Sequence, residues 1–173
     1  MILPIISYGA AILRKTCEDI SPATTGVQAL IKNMWDTLEC AKGAGLAAPQ
    51  VNYPYRIFLI ATPDCKGTFI NPTILTYSDH SLSDTEGCLS IPGIWEEVCR
   101  PATITLQYLD ENFMAHQDIF HGETARAIQH EYDHLNGKLY LDYLPPLRKA
   151  LLKHKLQAIS KGKVRTPYPL RVL

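Results

Sequence analysis

Between Thr24 and Ala41, apolar residues fall at Val27, Leu30, Ile31, Met34, Leu38 and Ala41, one stripe of a 3.6-residue period. The spacing predicts a helix over 24–41 packed on a core and ended by Gly43. The pattern then changes. Tyr55–Thr62, Thr68–Tyr77, Trp95–Cys99, Thr103–Asp110 and Phe113–Phe120 are short runs rich in β-branched and aromatic residues, separated by Pro, Gly, Asn and Asp. They read as antiparallel strands. Asp110-Glu111-Asn112 reads as a hairpin turn, and Thr103, Thr105 and Gln107 alternate with Ile104, Leu106 and Tyr108, which predicts one buried face. His121-Gly122 opens a second helix that runs to Asn136 and stops at Gly137, with Ala125, Ile128, Tyr132 and Leu135 as its apolar contacts. A third is expected after Pro145-Pro146, from Leu147 to about Ser160, before Gly162, Pro167 and Pro169. The expected fold class is α+β: antiparallel β-sheets packed around a central helix, with an N-terminal and a C-terminal helix.

With 173 residues, 46% of them hydrophobic, the chain is long enough to bury roughly 68–70% of its unfolded surface in one core. One domain over 1–173 is therefore expected. Cys17, Cys40, Cys65, Cys88 and Cys99 make an odd count without the spacing of a disulfide framework, and Met1-Ile2-Leu3-Pro4 opens no signal-like segment. A reduced, cytoplasmic protein is the simplest reading. No apolar run approaches the ~18 residues that span a bilayer. Net charge is zero but unevenly placed: no acidic residue follows Asp142, whereas Arg148, Lys149, Lys153, Lys155, Lys161, Lys163, Arg165 and Arg171 do. This basic helix and tail, about 145–173, could meet a polyanion such as ribosomal RNA; a solvated face is the commoner reading. Neither a membrane nor DNA is expected as a partner.

The chemistry concentrates in His130-Glu131-Tyr132-Asp133-His134. Residues four apart on a helix share a face, so His130 and His134 can bind one metal ion with Glu131 beside it. A catalytic site of this kind keeps a position open for water and needs a third ligand from elsewhere, for which Cys88 in Glu86-Gly87-Cys88-Leu89-Ser90 is the best candidate. A metal lowers the pKa of bound water toward ~7, and Glu131 in reach could take its proton and pass it to a leaving amine. That suits amide hydrolysis. Taken singly, each piece has a plainer reading. Cys88 could be a small buried hydrophobe, as the other four cysteines are expected to be; Gln50 could be any surface amide, and Gly43 and Gly45 only a helix stop and a turn. Asp133 lies off the histidine face.

Gly43-Ala44-Gly45-Leu46-Ala47-Ala48-Pro49-Gln50, Glu86-Gly87-Cys88-Leu89-Ser90 and His130-Glu131-Tyr132-Asp133-His134, in that order and spacing, closely resemble the peptide deformylase family. The likeness extends to Tyr8-Gly9, Leu13-Arg14 and Leu139–Leu144. It implies removal of formate from the N-formylmethionine end of newly made chains at or near the ribosome. It also implies Cys88, His130 and His134 as ligands of one divalent metal ion, Fe(II) natively; the ligand types themselves are compatible with Fe(II), Zn, Ni or Co. Glu131 would be the general base and acid, and the Gln50 amide and Leu89 N–H the oxyanion donors. An extended peptide would pair along Gly43, Ala44, Gly45 and Gly87, with its Met side chain in an apolar pocket beside the motif helix, near Glu123, Arg126 and Ala127.

Two positions depart from the family pattern. Glu123 stands on the metal-facing side where a large apolar residue is common, and Arg126 could pair with it; Trp95 stands near where some members carry an arginine. Glu86 and Arg100 are expected to pair. A competing metal reading is a zincin-type protease with His154 as third ligand; Lys153-His154-Lys155 lies in a basic helix expected to be exposed, and this reading leaves Cys88 and Gln50 without roles.

Overall fold

The computed structural model describes residues 1–173. In chain order the elements are β1 (Ile5–Ile6), α1 (Val27–Ala41), β2 (Gly45–Ala47), β3 (Ile57–Thr62), β4 (Cys65–Tyr77), β5 (Ser81–Cys88), β6 (Ile91–Pro101), β7 (Thr103–Leu109), β8 (Ala115–His121), α2 (Gly122–Leu135), α3 (Pro146–Ser160) and β9 (Leu170–Arg171). An antiparallel five-stranded sheet has the order β2-β3-β4-β7-β8; β5 and β6 form a separate antiparallel ribbon, and β1 pairs in parallel with β9. The fold is α+β, as the periodicities predict.

Around β3 the five-stranded sheet is covered on both faces, and the strand records this in its sequence. Ile57 and Leu59 join Leu30, Ile31, Met34 and Leu38 of α1 in one apolar cluster. Phe58 and Ile60 join Ala125, Ile128 and Leu135 of α2 in another. A strand buried on both faces reads as an unbroken apolar run rather than an alternation, and each such side chain contributes about 1.5–3 kcal/mol. On β7, Ile104 and Leu106 are buried, as their alternation predicts. A third cluster places Ile91, Ile94 and Val98 of β6 against Leu152 and Ile159 of α3.

Several boundaries differ from expectation for local reasons. Gly26, in the left-handed region at φ 80°, precedes α1, so the helix begins at Val27 rather than Thr24. Lys42, not Gly43, takes the left-handed turn at its end. The strand expected at 95–99 runs from Ile91 to Pro101. Its inward positions alternate correctly, as Ile94, Glu96, Val98 and Arg100, but two of them are charged. β5, a polar run exposed over its first five residues, has no sequence signal and forms through its register with β6. β1, β2 and β9 are two or three residues long, too short for a periodic signal in the sequence. Cys99 is exposed rather than a buried hydrophobe, because it sits on the outward face of β6.

Candidate active site

α2 packs against β2, β3, β6 and β8, and so carries its histidines to the centre of the fold. His130 and His134 stack edge to face with ring centroids 5.1 Å apart. Cys88 closes β5, and its Sγ lies 3.3 Å from His134 Nε2. One donor atom from each of Cys88, His130 and His134 falls within 4.8 Å of the others. Glu86 Oε2 lies 3.0 Å from His130 Nδ1, which leaves Nε2 for the cluster.

That glutamate is the hub of a buried charge network. Arg100 donates to both of its oxygens, at 2.6 and 2.9 Å, and Arg126 donates to Oε1 at 2.7 Å. Arg100 also donates to Asp133 at 2.8 Å, where the Tyr143 hydroxyl donates at 2.9 Å. Burial opposes charge on Glu86, but hydrogen bonds from His130 and Arg100 outweigh it and hold the carboxyl at about 2. The expected pair of Glu86 and Arg100 is present. The expected pair of Arg126 and Glu123 is not: Arg126 turns to Glu86 and to the carbonyls of Val98 and Leu82. The buried Glu86 carboxylate and Val98 carbonyl offer a guanidinium more than Glu123, which is exposed at the start of α2.

The donor set fits a transition-metal cation. Burial holds His134 well below its ordinary value, so it is neutral and has a lone pair to give. Burial opposes charge on His130 too, but hydrogen bonds to Cys88 and Glu86 hold it up to about 10, so a cation would displace a proton there. A thiol and two imidazoles suit Fe(II), Zn, Co or Ni. Beside them, Glu131 Oε2 is buried without a hydrogen-bond partner. Burial pushes this carboxyl up to about 7, the range in which a group can both accept and return a proton at neutral pH. The glutamate also requires Gly45: a Cβ there would lie 2.6 Å from Glu131 Oε1. Gln50 Oε1 accepts from the Ala47 N–H at 2.8 Å, which turns its NH2 toward Ser90 Oγ at 3.3 Å and Cys88 Sγ at 3.6 Å. Leu89 and Ser90 form the turn between β5 and β6, since Cys88 pairs with Ile91.

Of these groups Gln50, Glu86, Cys88, Leu89, Arg100, His130 and Glu131 line a cleft of about 970 Å³ that also includes Gly43, Ala44, Gly45, Gly87, Trp95, Glu123, Arg126 and Ala127. The Trp95 ring lies against Gly87, where a Cβ would come within 2.7 Å of it. Three features escaped sequence reasoning: Ser90 as a partner of Gln50, the tie of Arg126 to Glu86, and the return of Arg165–Tyr168 to the cleft. Ser90 at least lies within a motif; nothing in sequence flags the tail. His154 is exposed on α3 and outside the cluster.

The family model described as polypeptide deformylase matches residues 2–150. The chain belongs to the peptide deformylase family. Peptide deformylases are enzymes, and this chain is 44% identical to the peptide deformylase of Christiangramia forsetii over 188 residues, covering 99% of the chain and 96% of the relative. The peptide deformylase of Ehrlichia chaffeensis in complex with actinonin superposes with a TM-score of 0.87 at 30% identity, over 95% of this chain and 99% of that one. A peptide deformylase from Acinetobacter baumannii bound to Met-Ala-Ser gives 0.78 at 30% identity, over 83% and 99%. No helix of this deformylase-family chain is long and apolar enough to cross a membrane.

Proposed function

We propose that this chain removes the formyl group from N-formylmethionine at the start of newly made polypeptides, in a metal-dependent hydrolysis that releases formate. The observation that carries the reading is Glu131, buried with an unpartnered carboxylate oxygen beside the cluster of Cys88, His130 and His134. A divalent cation held by Cys88 Sγ and the two imidazoles would supply Lewis-acid polarisation and a water of lowered pKa. Fe(II) is the native ion proposed, with Zn, Ni and Co compatible.

The chain's own residues then divide the work. Glu131 takes the proton of the attacking water and delivers it to the departing amine. The Gln50 NH2, aimed by Ala47 and Ser90, and the Leu89 N–H donate to the oxygen on which negative charge develops. The peptide lies extended along Gly43–Gly45 and Gly87, in the manner of an added strand, and the Met side chain occupies the cleft beside Ala127. The related enzyme that holds Met-Ala-Ser supports a cleft for a peptide beginning with methionine. Arg126 borders this pocket with its charge already engaged, and Glu123 makes the rim polar. The cytoplasm, where nascent chains emerge, is the proposed location. The exposed basic face of α3 and the tail is a proposed ribosome contact.

Formate release from a formyl-Met tripeptide, with bound metal quantified in the same sample, tests the reading. Glu131→Gln is expected to lower kcat by about 10²–10⁴ with metal content unchanged. No release from metal-replete wild type overturns the assignment.

A further inference from the structure

The turn that presents Cys88 and Leu89 is held by both ends of the chain, the C-terminal one from the wall of the cleft itself. The Tyr168 hydroxyl donates to the Leu89 carbonyl at 2.8 Å. The Tyr8 N–H donates to the Ser90 carbonyl, also at 2.8 Å. These two contacts come from segments tied to each other. β1 precedes Tyr8, β9 follows Tyr168, and Ile5 pairs with Leu170 and Ile6 with Arg171. Ile5 N–H donates to the Pro169 carbonyl and Ser7 N–H to the Arg171 carbonyl, each at 2.8 Å. Ser7 Oγ anchors the ribbon to α3 through the Ile159 carbonyl at 2.8 Å. Tyr168 is itself 9% exposed, its ring in the apolar cluster of α1 and β3.

The turn needs such a hold. The register between β5 and β6 shifts between Glu86 and Cys88, so the regular ladder is broken just before the turn. Gly87 occupies that irregularity, adding backbone freedom. A catalytic donor, by contrast, has to stay within about 0.5 Å of its working position.

We propose that the paired chain ends form a clamp on the Leu89–Ser90 turn, and that Tyr168 is a positioning residue for the reaction, fixing through the Leu89 carbonyl the orientation of the residue whose N–H meets the oxyanion. The catalytic part rests on the deformylase reading; the mechanical part does not. Tyr168 lies beyond residue 150, where the family model's match ends, so that model gives it no role.

Tyr168→Phe keeps the buried ring and removes only the hydroxyl, so the fold survives and two readouts can be compared. Amide hydrogen exchange over residues 88–91 is expected to quicken about tenfold, the loss of one buried hydrogen bond, with β3 amides unchanged. With a formyl-Met tripeptide, kcat is expected to fall about tenfold, less than the loss of a whole oxyanion donor, with KM and metal content unchanged. Unchanged exchange overturns the clamp. Faster exchange with unchanged kcat, or a change confined to KM, overturns the positioning role. Wild-type protein that releases no formate defeats the deformylase reading, and the exchange measurement still decides the clamp.

Discussion

Where α2 meets the five-stranded sheet, Ala125, Ile128 and Leu135 share an apolar cluster with Phe58, Ile60 and Phe69. Where it meets β5 and β6, Arg126, His130 and Asp133 enter a network with Glu86 and Arg100. Apolar burial is non-directional and stabilises nearly any close packing of the right volume. A buried ion network is satisfied in few geometries and contributes little net stability, because desolvation offsets its attraction. One side of the helix thus supplies the stability, and the other fixes atoms. His130 Nε2 can be aimed only because Nδ1 has a carboxylate to face, and that carboxylate is aimed in turn by two arginines.

The contrast can be broken most severely at Arg100. Arg100→Ala leaves Glu86 and Asp133 short of a buried partner and is expected to cost about 3–5 kcal/mol. It should also weaken metal affinity by about 10–100-fold, because the group that orients His130 is released. Chemical denaturation and a Co(II) titration measure the two effects, and an unaltered metal affinity would sever the network from the site.

Acid is the next lever. Glu86 lies near 2 in the folded chain against an ordinary 4.5, so its contribution to stability is complete above pH 4.5 and lost as pH falls toward 2. Wild-type stability should therefore drop through this window, and Glu86→Gln should flatten the drop while lowering stability at pH 7. Parallel acid curves for the two proteins would place the charge dependence elsewhere.

On the apolar side, Ile60→Val is expected to cost only about 0.5–1.5 kcal/mol and to leave metal affinity untouched. The mildest case is a charge pair outside the network. Lys32 and Asp36 lie 3.3 Å apart on the exposed face of α1, and Lys32→Ala should change stability by less than about 0.5 kcal/mol in a thermal melt.

These two regions also differ in how far they can be read from the chain. The apolar stripe of α1 and the alternation of β7 announce their elements, because each buried residue recurs at the period of its own backbone. β6 keeps its alternation but hides it, since Glu96 and Arg100 occupy inward positions that only a partner across space can make tolerable. β5 is polar and largely exposed, and becomes a strand through pairing with β6. Within the site, the spacing of His130 and His134 suffices to place them together. Cys88, 42 positions before His130, is the best third-ligand candidate in the sequence, and the fold brings its sulfur to 3.3 Å from His134. Helical spacing pairs Arg126 with Glu123 one turn away; the fold supplies a buried acceptor, Glu86, that spacing cannot show.

What the sequence determined alone was local: the three helices, most strands of the five-stranded sheet, the α+β class and the identity of the groups able to do chemistry. Periodicity and residue type carry that information because backbone geometry repeats and functional groups keep their reactivity. Tertiary structure decided everything that depends on what stands opposite: the buried state that pushes Glu131 up to about 7, the carboxylate that two arginines hold against His130, and the meeting of both chain ends behind the Leu89–Ser90 turn. Burial and opposition are properties of pairs far apart in the chain, so no local pattern encodes them.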